Sequence, residues 1–385
     1  MIQREIEKEL QNISSQYPVT IITGPRQSGK TTLAQTCFPK KQYVNLEDPG
    51  QFSAASYDPN GFINKLKDGA IIDEVQRVPN LLSSIQVEVD RSKIKGQFIL
   101  TGSNHFSLIE SVAQSLAGRV GILKLLPLTL NEVTKFKKVK SVEEQILMGF
   151  YPGVYDNKLE PYKAYRNYYE TYIERDLRQL ITVKDLKKFQ LFVRLCAGRT
   201  GQLFNASNLS NEVGVSVPTI QHWVSILETS FIVFFLQPWF SNVNKRLIKT
   251  PKLYFVDVGI ASYLLGNENT KHIETHPQRG ALFENMVVID LLKQRYNGGL
   301  DNNLFFYRDN HKNEIDVLTR KGSLFNAYEI KVSQTFHNDF LKGLNYIQSL
   351  IPDSINNKYL VYAGRDEYEL NGAHIVNYRN TPKEE

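Results

Sequence analysis

The chain has 385 residues, 42% of them hydrophobic and 22% charged, which places it among soluble globular proteins of two or three domains. Lys plus Arg number 46 against 40 Asp plus Glu, and the resulting net charge of +6 permits nucleic-acid binding without demanding it. The two cysteines, Cys37 and Cys196, stand far apart; this pattern argues against a disulfide scaffold and fits a reducing compartment.

In chain order, Ile2, Ile6, Leu10 and Ile13 recur at helical spacing. The N-terminus is charged from residue 4 onward, so it is not expected to be a secretory signal. "VTIIT" (19–23) is a β-branched run ending in glycine, a buried strand, and "KTTLAQTCF" continues as a helix. Further strands are expected at 42–46, 69–75, 96–103 and 121–128. Strands separated by helical stretches imply crossover connections, hence a parallel α/β sheet. Residues 160–181 then read as a long aromatic helix. Three helical segments follow between about 185 and 228, the last two joined by the short turn "VGVSV", which is helix-turn-helix spacing. The strand-like runs "FIVFFLQPW" and "KLYFVD", joined by a basic loop, suggest a winged helix. "SFIVFFLQPWF" is too short and interrupted to span a bilayer, so the expectation is a cytoplasmic protein with no membrane partner. The last hundred residues hold a helix around "GALFENMVVIDLLKQRY" and strands at "NLFFYR", "EIDVLTR" and "NAYEIKV". No fixed-period repeat or low-complexity tract occurs.

"GPRQSGKT" (24–31) has the spacing of a phosphate-binding loop placed between a buried strand and a helix. Gly24, Pro25, Arg26, Gln27, Ser28 and Gly29 would wrap the phosphates of ATP, Lys30 would reach the β- and γ-phosphates, and Thr31, followed by Thr32, would coordinate Mg²⁺. "AIIDE" supplies Asp73 for the Mg²⁺ shell and Glu74 to polarise the attacking water. Two adjacent acids are the pattern of P-loop ATPases with an extra strand beside the loop strand. In "LTGSN" the candidate for holding that water is Ser103, with Asn104 and Thr101 as alternatives and ordinary turn chemistry as the competing reading. Arg119 of "SLAGRV" is a candidate arginine finger toward a neighbouring subunit; the competing reading is a surface salt bridge.

"GPRQSGKTTL", "AIIDEVQRVPNL", "FILTGSN" and "LAGRV…LPLTLNEV" together resemble a large group of prokaryotic AAA+ ATPases with a C-terminal domain of unknown function. "YIERDLRQL" resembles that group's helix after the ATPase core, where Arg175 is either a second phosphate sensor or part of a packing ion pair. The resemblance implies an ATP-driven machine that forms a homo-oligomer, a hexamer by analogy with the group.

In the C-terminal part, Glu284 lies on a helix, Asp316 ends "NEID", and "YEIKV" projects Glu329 and Lys331 from one strand face. This E…D…ExK set is similar to the PD-(D/E)XK nuclease fold. Asp316 and Glu329, with the Ile330 carbonyl and Glu284, would offer hard oxygens to Mg²⁺ or Mn²⁺. Lys331 would orient the water or stabilise phosphate charge. Asp309 is an alternative ligand, and a plain exposed ion pair on a solvated strand is the competing reading. The candidate recognition helix 217–229 has no Lys or Arg, which argues against base readout. Its His222 reads as a surface residue, and the basic residues cluster instead at Lys245, Arg246, Lys249 and Lys252. The expected domains are 1–135 (AAA+ core), 136–265 (helical segment and winged helix) and 266–385 (nuclease-like). The favoured function is an Mg-dependent ATPase that remodels or translocates on DNA and whose C-terminal domain binds DNA, with or without cutting it. The alternatives are a nucleotide-driven switch with an inactive platform for a protein partner and, last, an unfoldase.

Overall fold

The computed structural model describes residues 2–102, 115–173, 186–239 and 249–383. The chain forms two compact units. One comprises Met1–Leu128 with the short segments Thr229–Phe231 and Tyr296–Leu300; the other comprises Thr129–Glu228, Ile232–Arg295 and Asp301–Glu385.

The first unit is a parallel sheet with helices on both faces. Its described elements are α1 (Glu7–Gln16), β1 (Val19–Thr23), α2 (Lys30–Cys37), β2 (Gln42–Asn45), α3 (Pro49–Tyr57), α4 (Pro59–Asn64), β3 (Ala70–Asp73), α5 (Leu81–Ser92), β4 (Phe98–Gly102) and β5 (Val120–Lys124). The strand order is β2-β3-β4-β1-β5, every pair parallel. Strand side chains alternate between faces. Val19 and Ile21 join Val44, Ile72 and Leu100 under Leu81, Leu82 and Ile85 of α5. Ile22 faces the other way, with Ile71, Ile99 and Leu123, under Leu10 of α1 and Leu33 of α2. Each such fully buried aliphatic contributes about 1.5–3 kcal/mol. This is the parallel α/β core expected from the sequence. β3 stops at Asp73 because Glu74 turns left-handed, at φ 55° and ψ 44°.

The second unit is built on a mixed sheet. The middle part of the chain runs helix (Leu186–Ala197), β6 (Gln202–Leu203), helix (Ala206–Val213), helix (Val217–Thr229), β7 (Val233–Pro238) and β8 (Lys252–Phe255). Ile220, Trp223, Val224 and Leu227 form the buried stripe of helix Val217–Thr229, and the Trp223 ring packs on Phe189 and Phe192 at 5.4 and 5.5 Å. The remaining strands are β9 (Leu304–Arg308), β10 (Glu314–Lys321), β11 (Leu324–Lys331), β12 (Ile355–Tyr362), β13 (Tyr368–Leu370) and β14 (Ala373–Asn377). They follow the helix Arg279–Asn297, and helix Lys342–Leu350 packs its Leu344 and Ile347 into their core. The sheet order is β13-β14-β12-β11-β10-β9-β7-β8-β6. β7 joins it by pairing parallel to β9, Gln237 opposite Phe305. Residues on both sides of position 265 therefore contribute to one sheet.

Candidate functional site

In the first unit, the candidate nucleotide residues gather at the carboxyl ends of β1, β3 and β4. β4 lies between β3, which ends in Asp73, and β1, which leads into the loop. Crossover topology delivers all three strand ends to one edge, where ligands of parallel sheets bind. Gly24 has φ +151°, and a Cβ there would fall 2.1 Å from the Leu125 carbonyl oxygen, so the loop's entry requires glycine. Gly29, left-handed at φ 93°, precedes the first turn of α2.

Lys30 is buried and donates to the carbonyl oxygens of Gly24 (3.1 Å) and Pro25 (2.8 Å). Burial pulls its pKa down to about 8 against the opposing pull of Glu74 and Asp73. Three hydroxyls ring the Asp73 carboxylate. Thr31 donates to Oδ2 at 2.8 Å, Tyr43 to the same oxygen at 2.9 Å, and Thr101 to Oδ1. Burial and then the bond to Asp73 push the Tyr43 phenol well above its ordinary pKa, so it stays a donor. The Ser28 hydroxyl is fully buried without a hydrogen-bond partner. A buried orphan hydroxyl in the loop and a carboxylate bonded to the Thr31 hydroxyl fit a triphosphate with its magnesium ion. Glu74 follows Asp73 in its left-handed conformation and accepts from the Gln76 amide.

Two residues at this site escape a motif reading. Tyr43 is one. Arg4 is the other: its buried guanidinium donates to the main-chain carbonyls of Ser28 and Leu126, both at 2.8 Å, and so fastens the phosphate loop from beneath. Thr101, an alternative for holding water, is committed to Asp73. Arg26 pairs with Glu47 at 3.3 Å on the surface. Arg119 forms a two-pronged pair with Asp90 of its own unit, Nε to Oδ1 at 2.5 Å and a terminal nitrogen to Oδ2 at 2.9 Å. In this state it makes a surface salt bridge, and acting on a neighbour would require leaving Asp90. Ser103, Asn104 and Arg175 lie outside the described residues.

In the second unit, Glu284, Asp316, Glu329 and Lys331 come within electrostatic reach of one another. Burial, then Asp316, pushes Glu329 up to about 8. Burial also raises Glu284, with Lys252 opposing and Asp316 adding. Burial would lower Lys331, yet Asp316 and Glu329 hold it above its ordinary value. Lys331 Nζ lies 2.5 Å from Glu329 Oε1 and 3.8 Å from Asp316 Oδ2. Asp316 Oδ2 accepts the Ile330 N–H at 2.8 Å, beside an irregularity in β10 between Ile315 and Leu318. The other Glu329 oxygen is buried without a partner against Gly343, where a Cβ would sit 2.9 Å from it and 2.7 Å from the Glu314 carbonyl. That orphan oxygen and the hard donor set fit a divalent cation in kind. Among the described residues, however, no group of three or more His, Cys, Asp or Glu is placed to hold a metal ion.

The surroundings correct two expectations. Lys252, expected in the basic loop, is the first residue of β8 and 2% exposed. It sits between Glu284 (3.1 Å) and Glu314 (2.5 Å), and Tyr254 donates to the same Glu284 oxygen at 2.6 Å. Asp309, the alternative ligand, spends both oxygens on a turn: it accepts the N–H groups of His311 and Asn313, the Asn313 amide and the Tyr346 hydroxyl. Of the other basic residues, Lys249 is exposed, whereas Lys245 and Arg246 lie outside the described residues. His222 is an exposed helix residue.

Comparison with known proteins bears on these two units differently. Residues 16–134 match the family model of an AAA domain. The fold resembles a Walker-type ATPase of Pyrococcus abyssi, with a TM-score of 0.50 at 15% identity over 69% of this chain and 96% of that one. The first unit is thus similar to AAA-type P-loop ATPase domains in sequence and in fold. Residues 139–271 and 279–380 match two further models, each described as a domain of unknown function (DUF8612 and DUF4143). An uncharacterised protein of Mycobacterium tuberculosis is 29% identical over 336 residues, 86% of this chain and 74% of the relative. One of Haemophilus influenzae is 24% identical over 398 residues, 93% and 92% of the two chains. Among the described residues, no helix is long and apolar enough to cross a membrane.

Proposed function

We propose that this protein is a magnesium-dependent ATP hydrolase that acts on DNA through a nuclease-like C-terminal domain. One observation carries the hydrolase half: Lys30, Thr31, Asp73 and Glu74 meet at the carboxyl edge of one parallel sheet. Lys30 would exchange the Gly24 and Pro25 carbonyls for the β- and γ-phosphates, and Thr31 and Asp73 would hold the magnesium ion, which would supply charge neutralisation there. Glu74 accepts a proton from the attacking water, and Ser103 is proposed to position that water. Arg119 is proposed to reach the phosphates of a neighbouring copy once an oligomer displaces Asp90.

Residues 1–135 are proposed as the AAA+ core, 136–265 as a helical segment with a winged helix, and 266–385 as the nuclease-like domain. The middle segment's order of helix, strand, two helices and two strands, with β8 between β6 and β7, supports the winged-helix reading. In the C-terminal domain Asp316, Glu329 and Glu284 would hold a divalent cation that lowers the pKa of a bound water, and Lys331 would steady the phosphate. The test is divalent-dependent cleavage of linear, branched and single-stranded DNA by the wild type and by Lys331→Ala. Cleavage lost in the variant is the expected result; no cleavage of any substrate would remove the nuclease half.

A second reading has its own support. Lys331 and Lys252 already neutralise the acids, and no described group of three acids is arranged for a metal, which favours a binding platform without nuclease activity. On that reading nucleotide state drives assembly, and partner binding is insensitive to salt. A steep salt dependence of DNA binding would contradict it.

A further inference from the structure

A cavity of about 380 Å³ opens in the second unit at the carboxyl ends of β12 and β14. That volume suits a small ligand. Its lining carries three cations, Lys140, Arg365 and Arg379, against one acid, Asp366. The sum, 3 − 1, is a net charge of +2. Among the described residues neither Lys140 nor Arg365 forms an ion pair. Arg379 gives one guanidinium nitrogen to the Val139 carbonyl at 3.2 Å and lies over the Tyr378 ring at 4.6 Å. The nearby acid Glu143 is already taken, its Oε1 held by the Arg279 guanidinium at 3.0 and 2.7 Å. Glu144 accepts from the Lys140 backbone N–H at 2.7 Å.

The second observation is a missing partner. Tyr378 lines the cavity, is 1% exposed, and its hydroxyl has no hydrogen-bond partner. Buried hydroxyls in native proteins almost always find one. The hydroxyl is a buried donor without an acceptor, near the Arg379 guanidinium and the carboxylates of Glu143 and Glu144, and an anion entering the cavity would supply the missing acceptor.

We propose that this cavity binds a phosphate group, with Tyr378, Arg379, Lys140 and Arg365 as its donors. The sheet shows where such a phosphate lies relative to the candidate metal site. Lys331 of β11 pairs with Tyr362 of β12, and Tyr362 with Asn377 of β14. Two strand spacings of this kind amount to about 10 Å. A nucleic-acid strand lying across the carboxyl edge could place one backbone phosphate at Lys331 and another in the cavity. That placement rests on the DNA reading above; the phosphate site itself does not. A free nucleotide or inorganic phosphate offers the same chemistry.

The test uses the full chain carrying Lys30→Ala, which silences the phosphate loop. Calorimetric titrations with inorganic phosphate and with a short 5′-phosphorylated single-stranded oligonucleotide are compared with the same titrations of variants that add either Lys140→Glu with Arg365→Glu or Tyr378→Phe. The proposal expects saturable binding of at least one probe, at least tenfold weaker with the paired charge reversals and several-fold weaker with Tyr378→Phe. No saturable binding of either probe, or binding indifferent to both sets of changes, overturns it. Binding of phosphate with none of the oligonucleotide upholds the site and removes only its link to DNA.

Discussion

The two candidate sites hold similar residues, a lysine beside buried carboxylates, in opposite electrical states. Lys30 leans on neutral carbonyl oxygens and is depressed to about 8; Lys331 touches Glu329 and is held above its ordinary value. Asp73 is ringed by hydroxyls, whereas Glu284 is bound by a buried ammonium. A lysine resting on carbonyls can exchange them for phosphate without abandoning a charge. A lysine neutralised by carboxylates must first give up an ion pair. The first site is thus prepared for its ligand in a way the second is not.

The largest expected effect breaks the first site alone. Glu74→Gln should lower ATP turnover by about 10²–10⁴-fold while Mg·ATP binding, measured by calorimetry, persists. Lys252→Met tests the second unit's electrostatics. It strands Glu284 in a buried position and should cost about 3–5 kcal/mol in chemical denaturation, while the double change Lys252→Met with Glu284→Leu should recover much of that loss. Arg4→Ala removes two charge-assisted bonds beneath the loop and should cost about 1.5–3 kcal/mol of stability, with weaker nucleotide binding. Arg4→Lys should not restore it, since one ammonium does not reproduce the guanidinium fork.

The smallest effect is a pH dependence. Lys30 falls from 10.5 to about 8 on folding, so between those values the unfolded chain binds more protons. Stability from this group therefore rises with pH through that window. Phosphate binding runs the other way, because it needs the charged lysine. Mg·ATP affinity should fall above about pH 8, with proton uptake on binding detected by calorimetry in buffers of different ionisation enthalpy.

The sequence revealed local patterns well. Runs such as "VTIIT" and "FILTG" announced the five-stranded core because burial on both faces leaves an unbroken apolar run. Glu329 and Lys331 were legible as a pair because spacing on a strand sets the face. What stayed hidden depends on pairings between distant segments. Arg4 reaches Ser28 and Leu126 through the way α1 lies on the sheet, and nothing within "MIQREIEKEL" signals it. Lys252 looked like one more loop cation until β8 placed it between Glu284 and Glu314. The joining of β7 to β9 rests on two residue pairs between segments almost seventy positions apart, with no local signature.

The measurement that bears most directly on the account is steady-state ATP turnover by the full chain with magnesium, with and without DNA, beside Glu74→Gln. The expected result is turnover that DNA stimulates several-fold and that the variant lowers by about 10²-fold or more. Turnover no greater in the wild type than in Glu74→Gln, with or without DNA, would contradict it.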